Sequence, residues 1–351
     1  MCRSSLIILN YLLLLSPILG SENSVPSVTV TDVKTVYEQG PHNAFTDLTW
    51  FKGRIYLAFR SCPDGHMVHP TSCIKVLAST DGDEWEQVHS FNVLDRDTRD
   101  PHFVVFRGEL FIYTGTWYCG ELEPKIRNMN QMLGYGVRTS DGDEWSEPFE
   151  LNGTYGHYVW RGTSYNDQIY ICARRRKRFM EIADLKGHDE IVESRLLRSS
   201  DGISFNDAGH FQQNYGDETS FHFDEKGTIK AVSRQGGNRN AQFITLQPPY
   251  KSPTAIDLGR YIGGPLLFYF DEHTLVAGRN IRDGQVFTNI SVLKSSGLVD
   301  LVDLPSSGDC SYPGMVALCP GCILVSWYSS HLKTKEGASK TSIFIAKLNF
   351  R

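Results

Sequence analysis

Three copies of one heptad recur at a strict interval of 60 residues: Ser79-Thr-Asp81-Gly82-Asp-Glu-Trp85, Thr139-Ser-Asp141-Gly142-Asp-Glu-Trp145 and Ser199-Ser-Asp201-Gly202-Ile-Ser-Phe205. One such heptad constrains little. Three in register impose a repeat architecture, in which each supersecondary unit buries its apolar face against the next. The physics inside the heptad is local: the Asp side chain accepts from backbone N–H groups of a turn, the Gly tolerates dihedrals closed to other residues, and the aromatic packs beneath. The heptads lack the alternating oxygen ligands and closing Glu of a calcium loop, so they read as turn staples rather than metal sites.

Around the heptads runs a longer repeat of an extended segment, a turn and an apolar strand. It is first seen in Leu48–Arg60 about Gly53, with related hairpins centred on Gly108, Asp167, Gly227, His273 and Gly321. Alternation in Arg54–Arg60, Gln168–Arg174 and Thr228–Arg234 predicts strands, and each repeat carries a further strand, as in Cys73–Ser79 and Thr341–Leu348. Six units of this size predict an all-β, six-bladed β-propeller. Val28–Tyr37 is expected to complete the last blade and hide its edge. Only Phe179–Ile191 reads as helical, an insertion in the third repeat.

Residues 1–20 pair Arg3 with the apolar run Leu6–Leu15 and a Ser16-Pro17 break, which predicts a secretory signal peptide and a single propeller domain over residues 21–351. The protein is then expected outside the cell, or in the periplasm of a bacterium. No later segment approaches the roughly 20 apolar residues of a membrane helix. A net charge of −5 supplies no global positive field for nucleic acid, so any anion site must be local. In an oxidising compartment Cys62–Cys73 and Cys319–Cys322 are candidate bridges, and Asn152 and Asn289 are glycosylation acceptors in a eukaryotic host.

Aligning the six hairpins on their turns locates a site. Nine positions upstream stand Ala44, Arg99, Tyr158, Glu218, Gly264 and Tyr312; seven downstream stand Arg60, Gly115, Arg174, Arg234, Asn280 beside Arg279, and Tyr328. Equivalent positions of repeats face the same rim of the central channel. Arg60, Arg99, Arg174, Arg234 and Arg279 therefore predict a pocket for a carboxylate, which guanidinium forks bind bidentately, with Glu218 and Tyr312 interposed.

With these residues in place, the three Asp boxes on six expected blades resemble the sialidase superfamily over most of residues 30–351. The resemblance implies an exo-acting glycoside hydrolase for sialic acid or a related acidic sugar, a retaining mechanism, and no metal or other cofactor. It implies Tyr312 as nucleophile, Glu218 as its base, and Arg234 and Arg279 on the substrate carboxylate. The family's acidic residue after the first inner strand falls at Asp64, with Asp100 in Arg-Asp-Pro-His102 as competitor for general acid or as a substrate contact. Arg60 or Arg99 is expected to replace the first arginine of the family's triad, whose position holds Ala44. Two alternatives stay open: a carbohydrate-binding propeller without turnover, and a glycosidase or lyase for a uronic acid. Either way the expected partner is an acidic glycan.

Overall fold

The computed structural model describes residues 25–120, 127–181, 188–334 and 337–351, so the expected signal peptide lies outside the described residues. β1 (Val28–Tyr37) is followed by β2 (His42–Phe51), β3 (Arg54–Cys62), β4 (Cys73–Ser79) and β5 (Glu86–Phe91). Next come β6 (Arg96–Phe106), β7 (Glu109–Tyr118), β8 (Leu133–Thr139) and β9 (Phe149–Glu150), then β10 (Tyr158–Tyr165), β11 (Gln168–Arg176), β12 (Val192–Ser199) and β13 (Asn206–Gln212). The second half holds β14 (Gly216–Phe223), β15 (Ile229–Gln235), β16 (Arg239–Leu246) and β17 (Thr254–Asp257), then β18 (Gly263–Phe270), β19 (His273–Arg282), β20 (Gln285–Lys294) and β21 (Gly297–Leu304). β22 (Cys310–Cys319), β23 (Cys322–Lys333) and β24 (Ser339–Phe350) close the chain.

The chain is an all-β propeller. β6–β9, β10–β13, β14–β17 and β18–β21 are discrete four-stranded antiparallel sheets, whereas β2–β5 and β22–β24 with β1 share one eight-stranded sheet. Six separate blades were expected; four stand free, and the first and last groups are joined by one parallel pairing of His42 with Thr341. The innermost strands run side by side, β2 by β6, then β10, β14, β18 and β22, and β22 returns to β2, so they ring a central axis. β1 pairs antiparallel with β24, as the sequence predicted.

Apolar side chains fill the gaps between neighbouring sheets. Phe51, Tyr56 and Ile74 meet Phe103, Leu110 and Val137 between the first two groups. Each such buried side chain contributes roughly 1.5–3 kcal/mol. The heptads pin the outer turns: Asp81 Oδ1 accepts from the N–H of Asp83 (2.8 Å) and Glu84 (3.2 Å), Asp141 Oδ1 from Asp143 and Glu144 (2.9 Å each), and Asp201 Oδ1 from Ile203 (2.8 Å) and Ser204 (2.7 Å). Gly142 sits at φ 94°, and a Cβ there would collide with the Tyr56 hydroxyl of the adjoining sheet.

Three further expectations are corrected. Phe179–Ile191 is not a helix where it is described: it holds 3-10 turns at Lys177–Phe179 and Asp189–Ile191, and Arg178 and Phe179 adopt φ of 50° and 57°, which a right-handed helix cannot continue. Residues 182–187 of that segment lie outside the described residues. All seven described cysteines are unpaired. Cys73 stands opposite Ser61, so alternation points it to the other face of the sheet from Cys62, while Cys319 and Cys322 face each other across their turn as thiols. Asn152 is exposed, but Asn289 is buried with its side chain on Asp303, which withdraws it as a glycosylation acceptor.

Candidate functional site

Every innermost strand carries a register slip at or just beyond the aligned upstream position. The slips fall between Ala44 and Asp47, Arg99 and His102, Val159 and Gly162, Gly216 and Thr219, Gly263 and Leu266, and Ser311 and Gly314. Such bulges re-aim side chains, and here they turn them toward the axis. Four non-glycine residues at these bulges take positive φ: Phe45 (64°), Asp100 (52°), Ser311 (107°) and Tyr312 (51°). Conformations of this kind cost about 1–3 kcal/mol each and cluster at functional sites.

Tyr312 and Glu218 meet there. The Tyr312 hydroxyl donates to Glu218 Oε1 at 2.5 Å, although the residues are 94 apart in sequence. Glu218 Oε2 accepts from Arg234 Nη1 at 3.1 Å and from the Gly264 N–H at 3.0 Å. Burial alone would raise the Glu218 pKa, but the Arg234 and Arg174 charges outweigh it and hold the carboxyl at about 2. Burial and the Glu218 charge push the Tyr312 phenol well above its ordinary value. The pair is thus a neutral phenol on a fixed carboxylate.

Asp100 is the second buried carboxyl. Burial, then the Glu218 charge, raise it to about 6. Its Oδ2 accepts from the Tyr158 hydroxyl and its Oδ1 has no protein partner. A carboxyl in this state is protonated in mildly acid solution and has one oxygen free to act. Asp64 is elsewhere: it is exposed in the turn after β3, bonded to Thr71 at 2.5 Å and to His69 at 3.1 Å, because an Asp before Gly closes that turn. The general-acid assignment to Asp64 is corrected on this ground, and Asp100 is the acidic group facing Glu218.

The arginines divide. Arg60 is fully buried and its guanidinium is consumed by Asp97 (3.0 Å) and the carbonyls of Gly65 and Met67 (3.0 Å each), so it braces the loop after β3 instead of contacting a ligand. Arg99 is almost as buried, held by Asp97 at 2.6 Å and the His66 carbonyl at 2.9 Å, over the Phe45 ring. Neither replaces the arginine missing at Ala44. That corner is apolar, with the Phe45 ring 4.9 Å from Tyr312. Arg174, Arg234 and Arg279 keep side-chain exposures of 22%, 21% and 20% and are the guanidiniums open to a ligand. Asp217 ion-pairs with both Arg174 and Arg234, and Asp309 with Arg279 at 3.1 Å.

The repeat alignment found Arg174, Tyr158 and Tyr328 as positions; Asp97, Asp217, Asp309 and Phe45 carried no signal, since each is set by a partner from another blade. One cluster was unanticipated. His42 Nε2, His66 Nδ1 and Asp309 Oδ2 converge at separations of 2.7–3.2 Å beside Arg279. At the other mouth of the channel, a cavity of about 310 Å³ involves Trp50, Phe268 and Ala317 from the far ends of the inner strands. Between the mouths Arg161 seals the axis through Asp47 (2.7 Å) and the carbonyls of Pro313 (2.6 Å) and Pro265 (3.2 Å).

No protein-family model matches the chain. No curated protein matches it in sequence. Solved structures do match in fold. A protein of unknown function from Dyadobacter fermentans superposes with a TM-score of 0.75 at 20% identity, over 93% of this chain and 100% of that one. The Hadza microbial sialidase Hz136 superposes at 0.64 and 13% identity, over 87% of this chain and 65% of its own. Trypanosoma rangeli sialidase superposes at 0.63 and 11% identity, over 92% of this chain and 60% of its own. The chain spans roughly three-fifths of these sialidases, and at such identities what is shared is the propeller.

Proposed function

We propose that this protein is a secreted, exo-acting glycoside hydrolase that releases a terminal acidic sugar, sialic acid or a relative, from a glycan by a retaining mechanism. Counting the eight-stranded sheet as two blades gives the six of a sialidase-type propeller. The observation that carries the reading is the 2.5 Å hydrogen bond from Tyr312 to Glu218. A tyrosine nucleophile is one of the known departures from the two-carboxylate scheme, and it spares an anionic sugar the repulsion of a carboxylate nucleophile.

In the first step the Tyr312 oxygen bonds to the anomeric carbon as its proton passes to Glu218. Asp100 gives its proton to the departing glycosidic oxygen. Glu218 is a weak base for so reluctant an acid, so proton transfer must accompany C–O bond formation. In the second step water attacks the anomeric carbon and gives its proton to Asp100, while Glu218 returns the proton to the leaving Tyr312 oxygen. Arg234, Arg279 and Arg174 hold the substrate carboxylate through charge-assisted hydrogen bonds.

The second reading, a lectin-like propeller without turnover, draws on Ala44 and on the carboxylates that already engage each open arginine. Hydrolysis of fluorogenic sialosides and uronides, measured beside affinity for the free sugars, separates the two. Turnover lost in Tyr312→Phe with affinity retained supports the enzyme; sugar binding with no turnover in the wild type overturns it.

A further inference from the structure

The bases of three segments distant in sequence aim at one point on the rim. His42 opens β2, His66 lies in the loop between β3 and β4, and Asp309 lies between β21 and β22. Asp309 Oδ2 is 2.9 Å from His42 Nε2 and 2.7 Å from His66 Nδ1, and the two ring nitrogens face each other at 3.2 Å. The arrangement is a near-equilateral triangle of lone-pair donors, with two imidazoles crowded onto a single carboxylate oxygen. We propose that His42, His66 and Asp309 form a binding site for one divalent transition-metal ion of the zinc class.

Geometry and donor chemistry agree on this. An ion at the usual metal–ligand distance of about 2.0–2.1 Å from each atom would sit about 1 Å out of the triangle's plane and see the donors at about 90°, a facial arrangement that leaves further positions open. Two imidazoles with one carboxylate disfavour calcium and magnesium, which take oxygen ligands, and suit zinc, cobalt or nickel. The carboxylate is oriented from behind: Asp309 Oδ1 accepts from the Tyr328 hydroxyl at 2.9 Å and from Arg279 Nη2 at 3.1 Å, which leaves Oδ2 to the ion. His42 is buried and fixed, whereas the His66 side chain is 46% exposed and gives the ion an entry path.

One rearrangement is required. Arg60 Nη1 lies 3.4 Å from His42 Nδ1, so Nδ1 accepts and Nε2 carries the ring proton while the site is empty of metal. Binding moves that proton to Nδ1, which gives up the contact with Arg60, and the guanidinium nitrogen keeps its shorter bond of 3.0 Å to the Gly65 carbonyl. The inference does not rest on the glycosidase reading, since it concerns binding of the ion alone.

The test uses the full secreted chain, stripped with a chelator and titrated with cobalt(II) chloride, read by the visible absorption of bound cobalt and by calorimetry, with zinc as competitor. The expected result is one saturable equivalent, displaced by zinc, and at least a tenfold loss of affinity in His66→Ala. His69→Ala is the companion variant, because His69 stands in the neighbouring Cys62–Asp64–His69 cluster on the same loop. The proposal stands only if His66→Ala loses cobalt while His69→Ala keeps it. No saturable equivalent in the wild type, equal binding in both variants, or loss in His69→Ala overturns it.

Discussion

Two buried carboxyls on the inner strands are driven in opposite directions, and in the proposed mechanism that difference separates base from acid. Glu218 lies beside Arg234 and Arg174 and is held at about 2, whereas Asp100, deprived of solvent and facing Glu218, rises to about 6. Because Asp100 must be protonated to act as acid, kcat/KM is expected to fall as pH rises through about 6, and Asp100→Asn to flatten that limb at a much lower rate. Asn is the apt replacement, since it tolerates the φ of 52°. Linkage gives the stability sign. A carboxyl whose folded pKa lies above its unfolded value favours folding below the unfolded pKa of about 3.9, and that contribution is lost as pH climbs through the folded value. Thermal melts should therefore find Asp100→Asn gaining on the wild type between pH 4 and pH 8. An Asp100→Asn melting temperature that falls relative to the wild type as pH rises would contradict the assignment. Tyr312→Phe removes one hydroxyl and leaves every arginine, so turnover should drop by at least ~100-fold with sugar affinity nearly unchanged. Arg279→Ala should weaken both, because it deletes one of the three guanidiniums proposed to hold the substrate carboxylate.

Among the elements, the turn heptads and the inner-strand bulges do different things. The heptads lie on outer turns, and their Asp side chains are occupied by backbone N–H groups. Asp141→Ala is expected to lower the melting temperature by a few degrees and leave sugar affinity intact. Lost binding at an unchanged melting temperature would make the heptad a ligand after all. The bulges instead decide which side chains of the inner strands meet, as Tyr312 meets Glu218. They were invisible in the sequence because a bulge is one extra residue in a strand, defined only against its partner. The aligned positions could be read because the repeat is strict, but which side chain turns inward was set by the slip. Asp100 beside Arg99, and Phe45 beside Ala44, are both consequences of it.

At the scale of the whole molecule, closure is the stabilising event. β1 pairs along β24, so the last sheet has no bare edge there. Removing residues through Tyr37 should lower the melting temperature and produce self-association by size-exclusion chromatography; an unchanged monomer would mean that closure contributes little. The heptads, the hairpin alternation and the β1 pairing were legible in the sequence because they depend on contacts within a repeat or on simple periodicity. The meeting of Glu218 with Tyr312 was also legible, through the equivalence of repeat positions. What only the tertiary structure decided is everything set between blades. Arg60 looked like its homologous arginines until Asp97 and two loop carbonyls enclosed it, and Asp64 looked acidic and near until the loop after β3 carried it outward. The triangle of His42, His66 and Asp309 joins the first blade group to the last. A repeat sequence encodes each unit's own hydrogen bonds locally, whereas the ionisation and exposure of a side chain at the axis depend on neighbours that ring closure alone brings within reach.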